Sequence, residues 1–165
     1  MNEAPFRIVR LGPGHDRAAF DCGLDPLNRY LREQVALDVR RHVTFCFIAL
    51  VDGNRIAGYY TLASASFLIT DLPESISKKL PRYPTVPAVR IGRLAVDNSF
   101  KGQGLGGALL ADALTRAVHL DIASYAMIVE TKDTAAAAFY RHYGFIAFPD
   151  KPLIQFFPLA TVRSL

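Results

Sequence analysis

The spacing of apolar and polar positions changes period several times along the chain, and each change marks an element. Asp25-Pro26 opens the first helical stretch: Asp25 is placed to cap orphan N–H groups, Pro26 suits the first helical position, and Leu27, Tyr30, Leu31, Gln34 and Val35 follow at helical spacing. Thr44 to Val51 is β-branched and aromatic, Asp52-Gly53-Asn54 reads as a turn, and Ile56 to Leu62 is a second such run, so the pattern predicts an antiparallel hairpin. The segment from Asp71 to Pro87 carries prolines at 73, 81, 84 and 87, which leaves room for one short helix around Glu74 to Leu80 between loops.

Ala88 to Val96 alternates and is rich in aliphatics, predicting a strand that runs into a loop over Asp97 to Gly102. Leu105, Leu109, Leu110, Leu114, Ala117 and Val118 then recur near i, i+4 and i+8, the stripe of an amphipathic helix over Leu105 to Leu120. Tyr125 to Glu130 predicts a strand, Asp133 to His142 a helix with Asp133 as its cap, and Phe145 to Phe148 and Ile154 to Phe157 two last strands. Helix, hairpin, strand, helix, strand, helix, strands is an α+β order with one local βαβ unit rather than a regular doubly wound sheet. No repeat or linker interrupts it, and 165 residues suit one core, so 1–165 is expected to form a single domain.

Composition narrows the class. An apolar fraction of 51% with 21% charged residues is ordinary for a globular chain. Met1 to Arg7 shows no basic region followed by an apolar run, and no apolar segment reaches the ~20 residues of a membrane span, so a cytoplasmic protein without membrane association is expected. Cys22 and Cys46 form no CxxC or Cys/His cluster; both read as small buried hydrophobes, with no metal site. A net charge of +4 favours polyanions, and a phosphorylated cofactor would account for it equally well.

The chemistry concentrates at Lys101-Gly102-Gln103-Gly104-Leu105-Gly106-Gly107, between a predicted strand and a predicted helix. Glycines let the backbone turn tightly and present successive N–H groups to a phosphate, and a helix N-terminus adds about half a positive charge. The bland alternative is a tight turn whose glycines serve helix packing. Gly102-x-Gly104-x-x-Gly107 also fits a dinucleotide fingerprint, but too few βα units follow for a dinucleotide domain, and no Gly-Lys-Ser/Thr completes a P-loop.

Gly92-Arg-Leu-Ala-Val96 followed by Gln103-Gly104-Leu105-Gly106 resembles the acetyl-CoA motif of GNAT acetyltransferases. The resemblance implies a mixed, mostly antiparallel sheet flanked by helices, with a central βαβ acetyl-CoA site. The strand before the loop would splay from its neighbour, so that main chain over Leu94, Ala95 and Val96 meets the pantetheine while 101–107 hold the phosphates. Lys101 departs from the usual Arg or Gln; it keeps a charge and loses the planar fork of Arg.

Ala138-Phe139-Tyr140-Arg141-His142-Tyr143-Gly144-Phe145 is similar to the end of the last GNAT helix. The resemblance makes Tyr140 the general acid beside the thioester sulfur, since a phenol of pKa near 10 is protonated at neutral pH; Tyr143 reads as the packing residue. No carboxylate stands out as general base, and Asp97 and Glu130 are candidates by position. A missing base favours an α-amine, which titrates near 8, over a lysine near 10.4.

Basic residues gather at Arg29, Arg32, Arg40, Arg41 and His42, at Lys78, Lys79 and Arg82, and at Arg90 and Arg93. Solvated charge explains any one of them. Phe20-Asp21-Cys22-Gly23 before Leu27-Asn28-Arg29-Tyr30-Leu31, Gly58-Tyr59-Tyr60-Thr61-Leu62, Ile76-Ser-Lys-Lys-Leu80 and Arg90-Ile-Gly-Arg-Leu-Ala-Val-Asp97 together resemble the GNAT toxins of bacterial toxin–antitoxin pairs. That resemblance implies a homodimer that N-acetylates aminoacyl-tRNA, stops translation and is neutralised by a ribbon-helix-helix antitoxin. Lys78, Lys79, Arg90 and Arg93 are the expected tRNA contacts, Arg93 closest to the acceptor stem. Two other functions are weighed against it: a GNAT enzyme for a small-molecule or protein amine, and a binding module that keeps the cofactor loop without turnover.

Overall fold

The computed structural model describes residues 6–162, so Met1 to Pro5, on which the expected absence of a leader partly rests, lie outside the described residues. Seven strands are hydrogen-bonded in the order β1-β2-β3-β4-β5-β7-β6: β1 Arg7–Arg10, β2 Phe45–Val51, β3 Arg55–Leu68, β4 Thr85–Val96, β5 Ala126–Glu130, β6 Ile146–Phe148 and β7 Lys151–Pro158. The pairs β1–β2, β2–β3, β5–β7 and β6–β7 are antiparallel, and β4–β5 is parallel. The expected α+β class, its mostly antiparallel sheet and its single βαβ unit are therefore observed, the parallel pair being joined through helix α4, Leu105–Val118. Among the described residues no helix is long and apolar enough to cross a membrane.

The helices are shorter and less regular than their spacing predicts. The first stretch divides into α1, Asp25–Arg29, a π-helical turn over Tyr30–Gln34, and α2, Val35–Arg40. Asp25 is not its cap: Leu24 holds that position, and the Leu24 carbonyl accepts from the Leu27 and Asn28 N–H groups at 3.1 and 3.2 Å. α3 covers only Glu74–Ser77, since the chain turns toward Pro81. α5, Thr134–His142, is capped as expected, the Asp133 carboxylate accepting from Ala136 N at 2.8 Å. The hairpin is present, but β3 continues six residues beyond Leu62 through half-exposed Ala and Ser positions that carry no strong pattern, and β1 was not predicted at all.

The described chain forms two compact units, one up to Ala63 with Gly92–Ala113, the other Ser64–Ile91 with Leu114 onward; β3, β4 and α4 contribute residues to both. In the first, Phe20, Leu31, Val35, Ile48, Ile56 and Tyr59 bury their side chains together with Cys22 and Cys46, so both thiols are core residues and free. Burial pushes the Cys46 thiol up to about 12, which leaves it an inert hydrophobe. Gly58 lets β3 lie close under α4, since a Cβ there would stand 2.9 Å from the Ala95 carbonyl oxygen and 2.9 Å from Leu109 Cδ1. In the second unit, Phe67, Val86, Ala126, Ile128, Phe148 and Phe156 form the core.

Candidate cofactor loop and catalytic tyrosine

In the first unit, β4 ends at Val96, a 3₁₀ turn spans Asn98–Phe100, and the glycine loop leads directly into α4. Gly102 and Gly104 have φ of +79° and +78°, and a Cβ at either would meet nothing within 4 Å. Their glycines are therefore needed for backbone conformation, and not for the helix packing that the bland alternative gives them. Leu105 is buried and anchors the helix, while 101–104 are exposed. The Gly104 carbonyl accepts from Ala108 N at 3.1 Å, the first turn of α4, so the preceding N–H groups are those a helix start leaves for an anion. An exposed loop at a helix start, with open space where the Cβ atoms of Gly102 and Gly104 would stand, fits a diphosphate.

The loop's entry is fastened to the segment before α1. Asp97 is buried, and its carboxylate accepts from Asp21 N and Ser99 N, both at 2.9 Å. Asn98 N donates to the Asp21 carbonyl at 2.8 Å, and Lys101 Nζ donates to the Cys22 carbonyl at 2.8 Å. Asn28 completes the fastening, accepting from Cys22 N at 2.9 Å and donating to Asp21 Oδ1 at 3.0 Å. The Gly23 N–H, then the Asn28 amide, hold the Asp21 carboxyl below the usual carboxylate range. Two expectations change. Asp97 is not a free general base, because both its oxygens cap backbone N–H groups, and Lys101 spends one donor on the chain itself. Sequence reasoning misses Asp21 and Asn28, although an Asp and an Asn seven residues apart flanking a helix start are a local signal of such bonding.

Leu94 and Val96 are half-buried and Ala95 is buried among the core residues of this unit, as alternation along a strand requires. The parallel ladder between β4 and β5 covers Ala88–Ile91 opposite Ala126–Val129 and stops five residues short of the end of β4. Arg93 N, just past that point, bonds the Thr61 hydroxyl at 3.0 Å rather than a carbonyl. The ladder thus ends one residue before β5 does, and β4 runs on past it to the loop.

Tyr140, in the second unit, is only 7% exposed, and its ring lies edge-on to Phe139 and Phe145 at 5.1 and 5.3 Å. Burial raises its pKa above the ordinary phenol value, so the hydroxyl is protonated at neutral pH, as a general acid requires. Tyr143, expected to pack, is instead the more exposed of the two at 42%. α5 is tied to β7 by Gln155, fully buried, whose Nε2 donates to the Ala137 carbonyl at 2.9 Å. Glu130 is exposed at the end of β5.

The basic residues do not share one element. Lys78 and Lys79 are exposed or nearly so just after α3, and Arg90 is exposed on β4. Arg93 is exposed as well, but its guanidinium carbon stands 3.5 Å over the ring of Tyr30, whose hydroxyl donates to Asp38 at 2.7 Å.

A family model described as the acetyltransferase (GNAT) family matches residues 15–145. A protein of Mycobacterium tuberculosis named as a tRNA-acetylating toxin is 34% identical over 158 residues, 94% of this chain and 93% of its own. Among solved structures, AtaT complexed with acetyl-methionyl-tRNAfMet is 30% identical with a TM-score of 0.90, covering 96% of this chain and 98% of that one. A mutant AtaT toxin bound to the C-terminus of the antitoxin AtaR and acetyl-CoA is 26% identical with a TM-score of 0.81, covering 98% of each. With the motif's strand, positive-φ loop and helix in order and these matches along nearly its whole length, the chain belongs to the acetyltransferase (GNAT) family.

Proposed function

We propose that the protein is the toxin of a type II toxin–antitoxin pair, acting in the cytoplasm as a homodimer, which transfers acetyl from acetyl-CoA to the α-amino group of aminoacyl-tRNA and so blocks translation. A ribbon-helix-helix antitoxin neutralises it, and residues 1–165 work as one GNAT domain. The observation that carries this reading is the 34% identity to a tRNA-acetylating toxin across 94% of the chain.

When bound, acetyl-CoA supplies an acetyl group activated as a thioester. The N–H groups of 102–107 bind its diphosphate, Lys101 contributes charge with the donors left free by Cys22, and main chain of Leu94, Ala95 and Val96 bonds the pantetheine arm. The amine nitrogen forms its bond to the acetyl carbon as the carbon–sulfur bond breaks. Tyr140 Oη gives a proton to the sulfur and regains one from solvent, and the nitrogen sheds its surplus proton to solvent. Asp97, committed to Asp21 and Ser99, takes no part in that exchange; an α-amine titrating near 8 has a sufficient neutral fraction without a base. Lys78, Lys79, Arg90 and Arg93 hold the phosphates of the tRNA.

The test is transfer of labelled acetyl to total charged tRNA, with deacylated tRNA and free amino acids as controls. Label that stays with charged tRNA and is released when the ester is hydrolysed is the expected result. Binding of acetyl-CoA without transfer to any charged tRNA would overturn the substrate assignment in favour of a small-molecule or protein amine.

A further inference from the structure

Between the 3₁₀ turn Ile69–Asp71 and the proline-rich segment before β4 lies a cleft of about 370 Å³, all within the second unit. Its lining combines three chemistries: the apolar edges of Ile69 and Pro84, the hydroxyl of Thr70, and the cations Lys78 and Arg82, with Tyr83 standing at the rim. Tyr83 is 70% exposed, an unusual state for an aromatic ring, where Tyr30, Tyr59, Tyr60 and Tyr140 are buried. It is also stiffly held. Pro84 follows it directly, which restricts its backbone to extended values, Pro81 stands two residues before it, and the Pro84 carbonyl accepts from Ile69 N at 3.1 Å. An exposed ring on a restricted backbone, lining a cleft with two cations and a hydroxyl, matches what an unpaired nucleotide needs: a face on which to stack, charge for the phosphate and a partner for the sugar.

We infer that this cleft binds one unpaired nucleotide at the single-stranded 3′ end of the RNA substrate, the base stacking on Tyr83 and the adjoining phosphate lying on Lys78 and Arg82. The inference deepens the tRNA reading and rests on it. It assigns Lys78 a neighbour, Arg82, and a stacking residue, Tyr83, which together distinguish an unpaired end from duplex.

The experiment is fluorescence anisotropy with two RNA hairpins labelled in the loop and identical but for a four-nucleotide 3′ overhang on one. Wild-type protein is expected to bind the overhang hairpin more tightly than the blunt one, and Tyr83→Ala to weaken the overhang hairpin roughly 5- to 100-fold, as loss of one base–aromatic stack does. Tyr83→Phe keeps the stack and most of the preference. Lys78→Ala with Arg82→Ala should flatten the slope of log K against log salt by about one to two. An unchanged acetyl-CoA affinity in every variant shows that the fold is intact. Equal binding of the two hairpins by wild type, or overhang preference retained in Tyr83→Ala, overturns the cleft assignment even where charged tRNA is acetylated. Overhang preference with no acetyl transfer would leave the cleft standing and remove the substrate reading. Loss of antitoxin binding in Tyr83→Ala with RNA binding unchanged would overturn it in favour of a protein contact.

Discussion

The guanidinium carbon of Arg93 lies 3.5 Å above the ring of Tyr30, and the Tyr30 hydroxyl is bonded in turn to Asp38, which also accepts from Gln34 Nε2 at 3.0 Å. The stack fixes the direction of one of the four proposed tRNA contacts. Arg93→Ala is expected to weaken charged-tRNA binding and lower its salt slope by about one. Arg93→Lys should restore the slope and little of the affinity, because an ammonium lacks the planar face that stacks on Tyr30. Binding titrations at several salt concentrations decide it; a slope unchanged in Arg93→Ala would remove the residue from the interface.

Tyr140→Phe should leave acetyl-CoA binding unchanged and reduce turnover by roughly 10²- to 10⁴-fold. Because burial raises the Tyr140 pKa, the wild-type kcat profile should show no falling limb from this group below about pH 10. Pre-steady-state transfer measured from pH 6 to 10 checks both, and near-normal turnover in the variant would take the acid role from this residue.

Gly104→Val should abolish acetyl-CoA binding while the chain still folds. The residue sits at φ +78° with no atom within 4 Å of the place a Cβ would take, so loss would come from backbone strain of about 1–2 kcal/mol and from a side chain standing where the proposed diphosphate binds. Calorimetric titration with acetyl-CoA, beside a circular dichroism melt, separates the two effects.

Stability should fall at both ends of the pH scale. Hydrogen bonds from Gly23 N–H to Asp21 and from Tyr30 to Asp38 lower those two carboxyl pKa values in the native state. Their stabilisation is therefore whole above the unfolded value near 4 and is lost as pH drops further. Tyr30, Tyr59 and Tyr140 are raised, chiefly by burial, so what they contribute is complete below the unfolded value near 10 and is lost as pH rises toward the native one. Urea unfolding at pH 3, 7 and 10.5 is expected to give the highest midpoint at pH 7.

Asp97→Ala should destabilise the protein by about 1–3 kcal/mol, since it removes two charge-assisted bonds at once, one of them the cap of the turn at Asn98. Asp97→Asn, able to accept only through one oxygen, should fall between. If Asp97 were the general base instead, both variants would lose turnover with no change in the urea midpoint.

The sequence carried the elements whose burial has a clear period. α4 shows its core in Leu105, Leu109, Leu110 and Leu114, and the glycine loop is recognisable because positive φ admits few other residues. What local pattern could not convey was bonding between distant segments. Asp97 is a candidate base by position alone, and only the fold reveals Asp21 N, 76 residues away, as its partner. β1 escaped because Arg7-Ile-Val-Arg10 is four residues long with charged ends, and its pairing to Phe47–Leu50 is decided by β2 rather than by its own pattern. Tyr83 passed unnoticed for the opposite reason: periodicity reports what is buried, and this ring is not.

The bonds that join Asp21 and Cys22 to Asp97, Asn98 and Lys101, with Asn28 holding Asp21 and Cys22 in place, have a genetic consequence. In a selection for cells that survive expression of the protein, inactivating changes should accumulate at Asp21 and Asn28 as densely as in the glycine loop. A mutational map read by sequence position alone would then draw a second active centre near the N-terminus, where the molecule has only the other half of a clasp.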